Sequence, residues 1–117
     1  MSMADKTNSI EKAKTLLKEG DNLVSNKNFD EAIMKFMFVP KYTKDLGDYN
    51  LTTLAYIKII SIFIMKKEFQ QAGKYVSFAL TTAPLCSDPD IQKEFLMLIK
   101  NHPELQQEHI RNVDNIP

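Results

Sequence analysis

The sequence predicts an all-α protein, and three observations carry that prediction. Glycine is scarce, at three residues among 117, beside five prolines and no tryptophan. Long stretches free of both helix breakers place apolar side chains three, four and seven residues apart, the spacing of one helix face. The chain also aligns with itself when shifted by forty residues, which points to a repeated supersecondary unit.

Helical spacing begins near Ser9, with Ile10, Ala13, Leu16, Leu17, Leu23 and Val24 on one stripe. Asn8, three residues before Glu11, or Ser9 is expected to cap this helix, leaving residues 1–8 as a flexible arm. The turn-rich Asn26-Lys27-Asn28 ends it near Ser25. Asn28 and Glu31 repeat the capping spacing, and Phe29, Ala32, Ile33, Phe36 and Met37 make the second apolar face. Pro40 is expected to stop that helix, because it lacks an amide hydrogen and its ring crowds the preceding turn.

Lys41 to Asn50 is polar, with Gly47 as punctuation, and reads as a loop or a ragged helix end. Leu51 to Met65 is apolar almost all round. Its β-branched content permits a strand, but fifteen residues without Gly or Pro favour a buried helix. A fourth helix is predicted from about Glu68 to Thr82, before Pro84. Ser87-Asp88-Pro89-Asp90 has the form of a helix start, and Ile91, Phe95, Leu96, Leu98 and Ile99 carry that helix to about Lys100. Pro103 opens a last short helix to about Arg111, and residues 114–117 are expected to fray. The reading is one domain over residues 9–113.

Fifteen basic side chains offset fifteen acidic ones, and each half of the chain is close to neutral. General binding to a phosphate backbone needs a basic surplus, so no nucleic-acid partner is expected. Hydrophobic residues make up 44%, enough to build a core without disulfides or metal. One cysteine, Cys86, has no partner within the chain and suits a reducing compartment. The polar stretch Met1–Glu11 carries no signal core, and Tyr56–Met65 is too short to span a bilayer. These features predict a cytoplasmic protein with no integral membrane segment.

The forty-residue shift lays Lys27-Asn28-Phe29-Asp30-Glu31-Ala32 on Lys67-Glu68-Phe69-Gln70-Gln71-Ala72, and Leu16, Leu17, Leu23 and Val24 on Tyr56, Ile57, Phe63 and Ile64. Here the sequence resembles the tetratricopeptide-repeat family. The matching residues are Leu16, Gly20, Leu23, Phe29, Ala32 and Phe36 in one unit, and Tyr56, Phe63, Phe69, Ala72, Ala79 and Pro84 in the other. Two departures stand out: Ile60 occupies the place of Gly20, and Val76 replaces the aromatic Phe36. The spacing also exceeds the usual repeat of about 34 residues and resembles the family's longer variants. The resemblance implies a superhelical stack of antiparallel helix pairs, with units at about 13–46 and 53–86. Capping helices would follow at about 88–100 and 103–111.

It further implies that the first helix of each unit lines a concave face. Lys14, Leu17, Asp21, Val24 and Ser25 would line it in one unit, and Leu54, Ile57, Ser61, Ile64 and Met65 in the other. The expected function is non-catalytic: an adaptor or assembly subunit taking a peptide or amphipathic helix in an apolar groove. Asp21, Lys14 and Lys58 would orient the partner at the rim. The chain's own ends are alternative occupants, and a homodimer through the apolar third helix is another. The family's carboxylate clamp is not expected, since Leu17 and Asp21 stand where it needs Lys and Asn.

Nothing in the sequence points to catalysis, a cofactor or a metal. Cys86 has no adjacent positive charge to lower its pKa. Asp88 and Asp90 read as helix caps, and His102 with His109 lacks further ligands of suitable pattern. Gly20, Gly47 and Gly73 are too scattered to form a phosphate loop.

Overall fold

The computed structural model describes residues 2–105. Its elements are α1 (Met3–Ser25), α2 (Phe29–Thr43), α3 (Tyr49–Met65), α4 (Phe69–Thr82), a 3₁₀ turn (Ala83–Leu85) and α5 (Pro89–Asn101). All are helical, as the sequence predicts. Helices α1 and α2 pack as one pair and α3 and α4 as a second; α2 joins the pairs by packing on α3, and α5 lies against α3 and the 3₁₀ turn.

Both hairpins close with the same turn, forty residues apart. Lys27 and Lys67 adopt left-handed backbone, with φ of 62° and 59°. Asn28 N donates to Leu23 O and Lys27 N to Val24 O, at 2.8 and 2.9 Å. Glu68 N donates to Phe63 O and Lys67 N to Ile64 O, at 2.8 and 3.0 Å. These paired bonds satisfy carbonyls that a helix end leaves open. They offset a left-handed cost of about 1–2 kcal/mol at a residue bearing a side chain. The offset extends to the helix starts, where Asp48 caps α3 and Asp88 caps α5.

Two boundaries differ from the sequence reading by more than two residues. Helix α1 begins at Met3 and not near Ser9, so residues expected as an arm form its first turns. Its cap is Ser2, whose Oγ accepts from Asp5 N at 3.1 Å, the same serine-to-acid spacing found earlier in the chain than Asn8 and Glu11. Helix α2 runs through Pro40 to Thr43. Val39 and Thr43 on its last turn are fully buried, and the Thr43 hydroxyl lies 2.6 Å from that of Thr52 on α3. That tertiary anchorage outweighs the hydrogen bond that proline forgoes. Helix α5 reaches Asn101, and helical backbone resumes at Pro103–Leu105; the rest of the expected last helix, with His109, lies outside the described residues.

Most of the residues expected to pack the repeats are buried or lie against the core. Ala32, Phe36, Ala72 and Ala79 are fully buried, and Phe29 and Phe69 lie against the same core; Pro84 is the exception, exposed in the 3₁₀ turn. Gly20 has the most stringent role. A Cβ there would lie 2.6 Å from Phe36 Cζ, so the ring occupies the space a side chain on α1 would take. At the equivalent place α3 carries Ile60 and α4 carries Val76, both buried. The two departures from the repeat pattern change together: a glycine faces a large ring in one pair, and two mid-sized branched chains are buried at the equivalent positions of the other.

Helix α5 is held by polar ties as well as packing. Asn50 Nδ2 donates to Ser87 Oγ at 2.8 Å and Asn50 Oδ1 accepts from Asp88 N at 3.1 Å. Gln92 Nε2 donates to the carbonyls of Ala83 and Cys86, and Phe95 and Leu105 are buried. Between α3 and α4, Tyr56, Phe63, Tyr75 and Phe78 form an aromatic cluster. Burial raises the pKa of Tyr56, with a further contribution from Tyr75, and burial raises that of Tyr75.

Two predictions follow from this packing. Gly20→Ala should destabilise the protein by about 1–3 kcal/mol through overpacking, despite alanine's better helix propensity. In a Phe36→Val background that cost should vanish, so urea denaturation of the four proteins should give a coupling above about 1 kcal/mol. The tyrosines supply the second. Their raised pKa values favour the protonated fold, so their contribution is complete below the unfolded value of 10.0 and is lost as pH climbs past it. Alkaline denaturation followed by tyrosinate absorbance should therefore move to higher pH in a Tyr56→Phe, Tyr75→Phe variant.

Candidate functional site

Phe36, held in place by Gly20, forms part of the floor of a depression of about 230 Å³. Three helices build its walls: Asp21 and Val24 from α1, Ile57, Lys58, Ser61, Ile62 and Met65 from α3, and Glu94 from α5. Five of the expected groove residues thus meet here: Asp21, Val24, Ile57, Ser61 and Met65. Lys58, expected at the rim, is with them.

The character of the site differs from the apolar groove expected. Ile57 is only 2% exposed and Leu17 7%, so both belong to the core and offer a partner almost no surface. The reason is geometric: α3 lies against α1, α2, α4 and α5 and spends its apolar circumference inside the chain. Leu54 and Ile64 are half-buried against that core and do not line the depression. Lys14 lies outside it, 3.8 Å from Glu11 on exposed α1. Met65 is the apolar residue that remains open, at 56% exposure.

Charge sets the rim. Lys58 Nζ lies 2.8 Å from Asp21 Oδ1, joining α3 to α1, and 5.9 Å from the centre of the Phe36 ring. A second bridge, Lys66 to Asp30 at 2.7 Å, ties the end of α3 to α2, and this hydrogen bond is the main cause of the raised Lys66 pKa. The Ser61 hydroxyl donates to Ile57 O at 2.9 Å. The Asp21–Lys58 pair adds to the argument against a carboxylate clamp, because the lysine already has its anion.

Glu94 is the residue sequence reasoning missed. The forty-residue offset gives no signal for it, since its equivalents Lys14 and Leu54 lie outside the depression. The chemistry-bearing residues elsewhere have structural partners. Cys86 is buried, with its thiol 3.2 Å from Thr53 Oγ1 and 3.3 Å from Tyr49 O, and Asp88 caps Asp90 N at 2.9 Å. His102 Nδ1 lies 3.5 Å from Glu104. Among the described residues, no group of three or more His, Cys, Asp and Glu stands close enough to hold a metal ion. No helix among them is long and apolar enough to cross a membrane.

No protein-family model matches the chain, and no curated protein or solved structure does so either.

The half-exposed rim pair should contribute little to stability. Asp21→Asn is expected to cost no more than about 1 kcal/mol in urea denaturation, and less at high salt.

Proposed function

We propose that this protein is a non-catalytic protein–protein interaction module, similar in kind to tetratricopeptide-repeat adaptors, working in the cytoplasm where Cys86 stays reduced. The inner depression is its docking face. The observation that carries this reading is the juxtaposition of open Met65 and half-buried Val24 with the Asp21–Lys58 pair, on a wall shared by α1, α3 and α5. Methionine adapts to varied apolar partners, and the ion pair and Glu94 give a peptide a polar frame to orient against. A single large side chain buried at Met65 would supply roughly 1.5–3 kcal/mol before entropy costs. An extended peptide crossing the three helices suits so shallow a site better than a fully seated helix. The ground for a homodimer through α3 is weaker, since Ile57, Ile59, Ile60 and Ile62 are buried within the chain itself.

Selection from a displayed peptide library, followed by nuclear magnetic resonance mapping, tests the proposal. Peptides that bind should perturb the amide signals of Val24, Ser61 and Met65. Met65→Asp should weaken them on the order of tenfold while circular dichroism and melting stay unchanged. Ile57→Asp is unsuitable as a test because a buried charge would unfold the protein. Selected peptides that leave those three signals untouched would sink the assignment of the docking face.

A further inference from the structure

The repeat allows one helix pair to show what the other lacks. Between α3 and α4 the ring of Tyr75 lies 6.2 Å from Tyr56 and meets Phe78 edge-on at 5.3 Å. A shift of forty residues converts Tyr75 to Lys35, Tyr56 to Leu16 and Phe78 to Phe38. Phe38 is 42% exposed and Phe78 40%, in keeping with their equivalent positions. Lys35 supplies no ring, and its ammonium is drawn to Glu19 on α1 at 3.0 Å. The space a ring would fill is open: a groove of about 420 Å³ lies between α1 and α2, with Leu16, Met34, Phe38 and Tyr42 in its walls.

Lys12 lines this groove, and Lys41 stands beside the lining residue Phe38. Lys12 Nζ lies 5.6 Å from the centre of the Tyr42 ring, and Lys41 Nζ lies 4.6 Å from that of Phe38. Neither forms an ion pair among the described residues, where Lys35 has Glu19. Glu31 is the acidic residue in the lining. Against Glu31, the two ammonium groups without an ion pair leave one positive charge in excess beside half-buried Tyr42 and exposed Phe38. That excess favours a ligand that brings a carboxylate together with a flat apolar group.

We propose that the α1–α2 groove is a docking site for an aromatic side chain of a partner peptide, with acidic residues flanking it. The ring takes the place that Tyr75 holds in the second pair, against Leu16 and Phe38, with flexible Met34 closing over it. The flanking carboxylates meet Lys12 and Lys41. This surface shares no lining residue with the inner depression, so the proposal is independent of that reading.

The second pair also supplies the decisive variant. Leu16→Tyr with Lys35→Tyr gives the groove the rings that fill its counterpart, and its melting temperature should equal or exceed that of the parent. Two capped pentapeptides serve as probes, one with tyrosine between pairs of glutamate and one with alanine in its place. The tyrosine peptide should give saturable shifts at the Met34 methyl and the Phe38 amide. The alanine peptide, the filled-groove variant and Phe38→Ala, at an exposed position, should each weaken binding on the order of tenfold. Lys12→Glu with Lys41→Glu should weaken it also and favour a lysine-flanked peptide instead. Equal binding of both peptides, undiminished binding to the filled groove, or no shift at Met34 and Phe38 overturns the proposal. So do the same shifts on concentrating the protein alone, which would make a second copy the occupant. Met65→Asp should leave these signals unchanged, which separates this outcome from failure of the inner docking face.

Discussion

The contact between Gly20 and the Phe36 ring is the constraint from which the rest of the molecule is built. Because residue 20 has no side chain, α2 can lay a phenyl ring directly on the backbone of α1. The ring is then buried far enough to reach α3, where it underlies the Asp21–Lys58 pair and floors the inner depression. Packed interiors tolerate neither a void nor an overlap, so one missing methyl group on α1 sets how closely the first pair closes. The second pair carries buried Ile60 and Val76 at the equivalent positions. These are alternative fillings of one backbone arrangement.

That equivalence of backbone with difference of filling also organises the surface. The turns at Lys27 and Lys67 show one geometry repeated along the chain, and aspartates forty residues apart, Asp48 and Asp88, cap α3 and α5. Side chains then decide which clefts are closed. Tyr56 and Tyr75 place rings between α3 and α4, while Leu16 and Lys35, at the equivalent positions, line an open groove between α1 and α2. Buried hydroxyls join the layers: Thr52 meets Thr43 on α2, and its neighbour Thr53 meets Thr82 on α4 at 2.8 Å. Such paired polar groups satisfy one another inside an apolar core and favour one register between helices.

Much of the fold was legible in particular residues. The shared Phe-x-x-Ala signature at 29–32 and 69–72 located both hairpins, and Asp88-Pro89 located the start of α5. The second turn was legible only through the repeat, since Lys66-Lys67-Glu68 contains none of the usual turn formers. The site was less readable. Asp21, Val24, Ile57, Ser61 and Met65 do line one depression, but Leu17 lies outside it, and Leu17 and Ile57 are almost wholly core. A helix apolar all round gives no clue to which of its sides meets solvent, because that depends on how many neighbours surround it. Glu94 was overlooked for a related reason: it comes from α5, whose position against α3 is a tertiary fact.

Sequence by itself determined the helices, the forty-residue period and the substitutions that distinguish the pairs, because these rest on local periodicity and on spacing along the chain. Only the tertiary structure decided that α2 continues through Pro40, that Gly20 makes room for Phe36, and that α3 is spent inside the core. It alone decided that an open groove lies between α1 and α2, with Lys12 in its lining. Each of these is a question of what volume and which charges come together across helices distant in sequence, and one-dimensional patterns hold no measure of that distance.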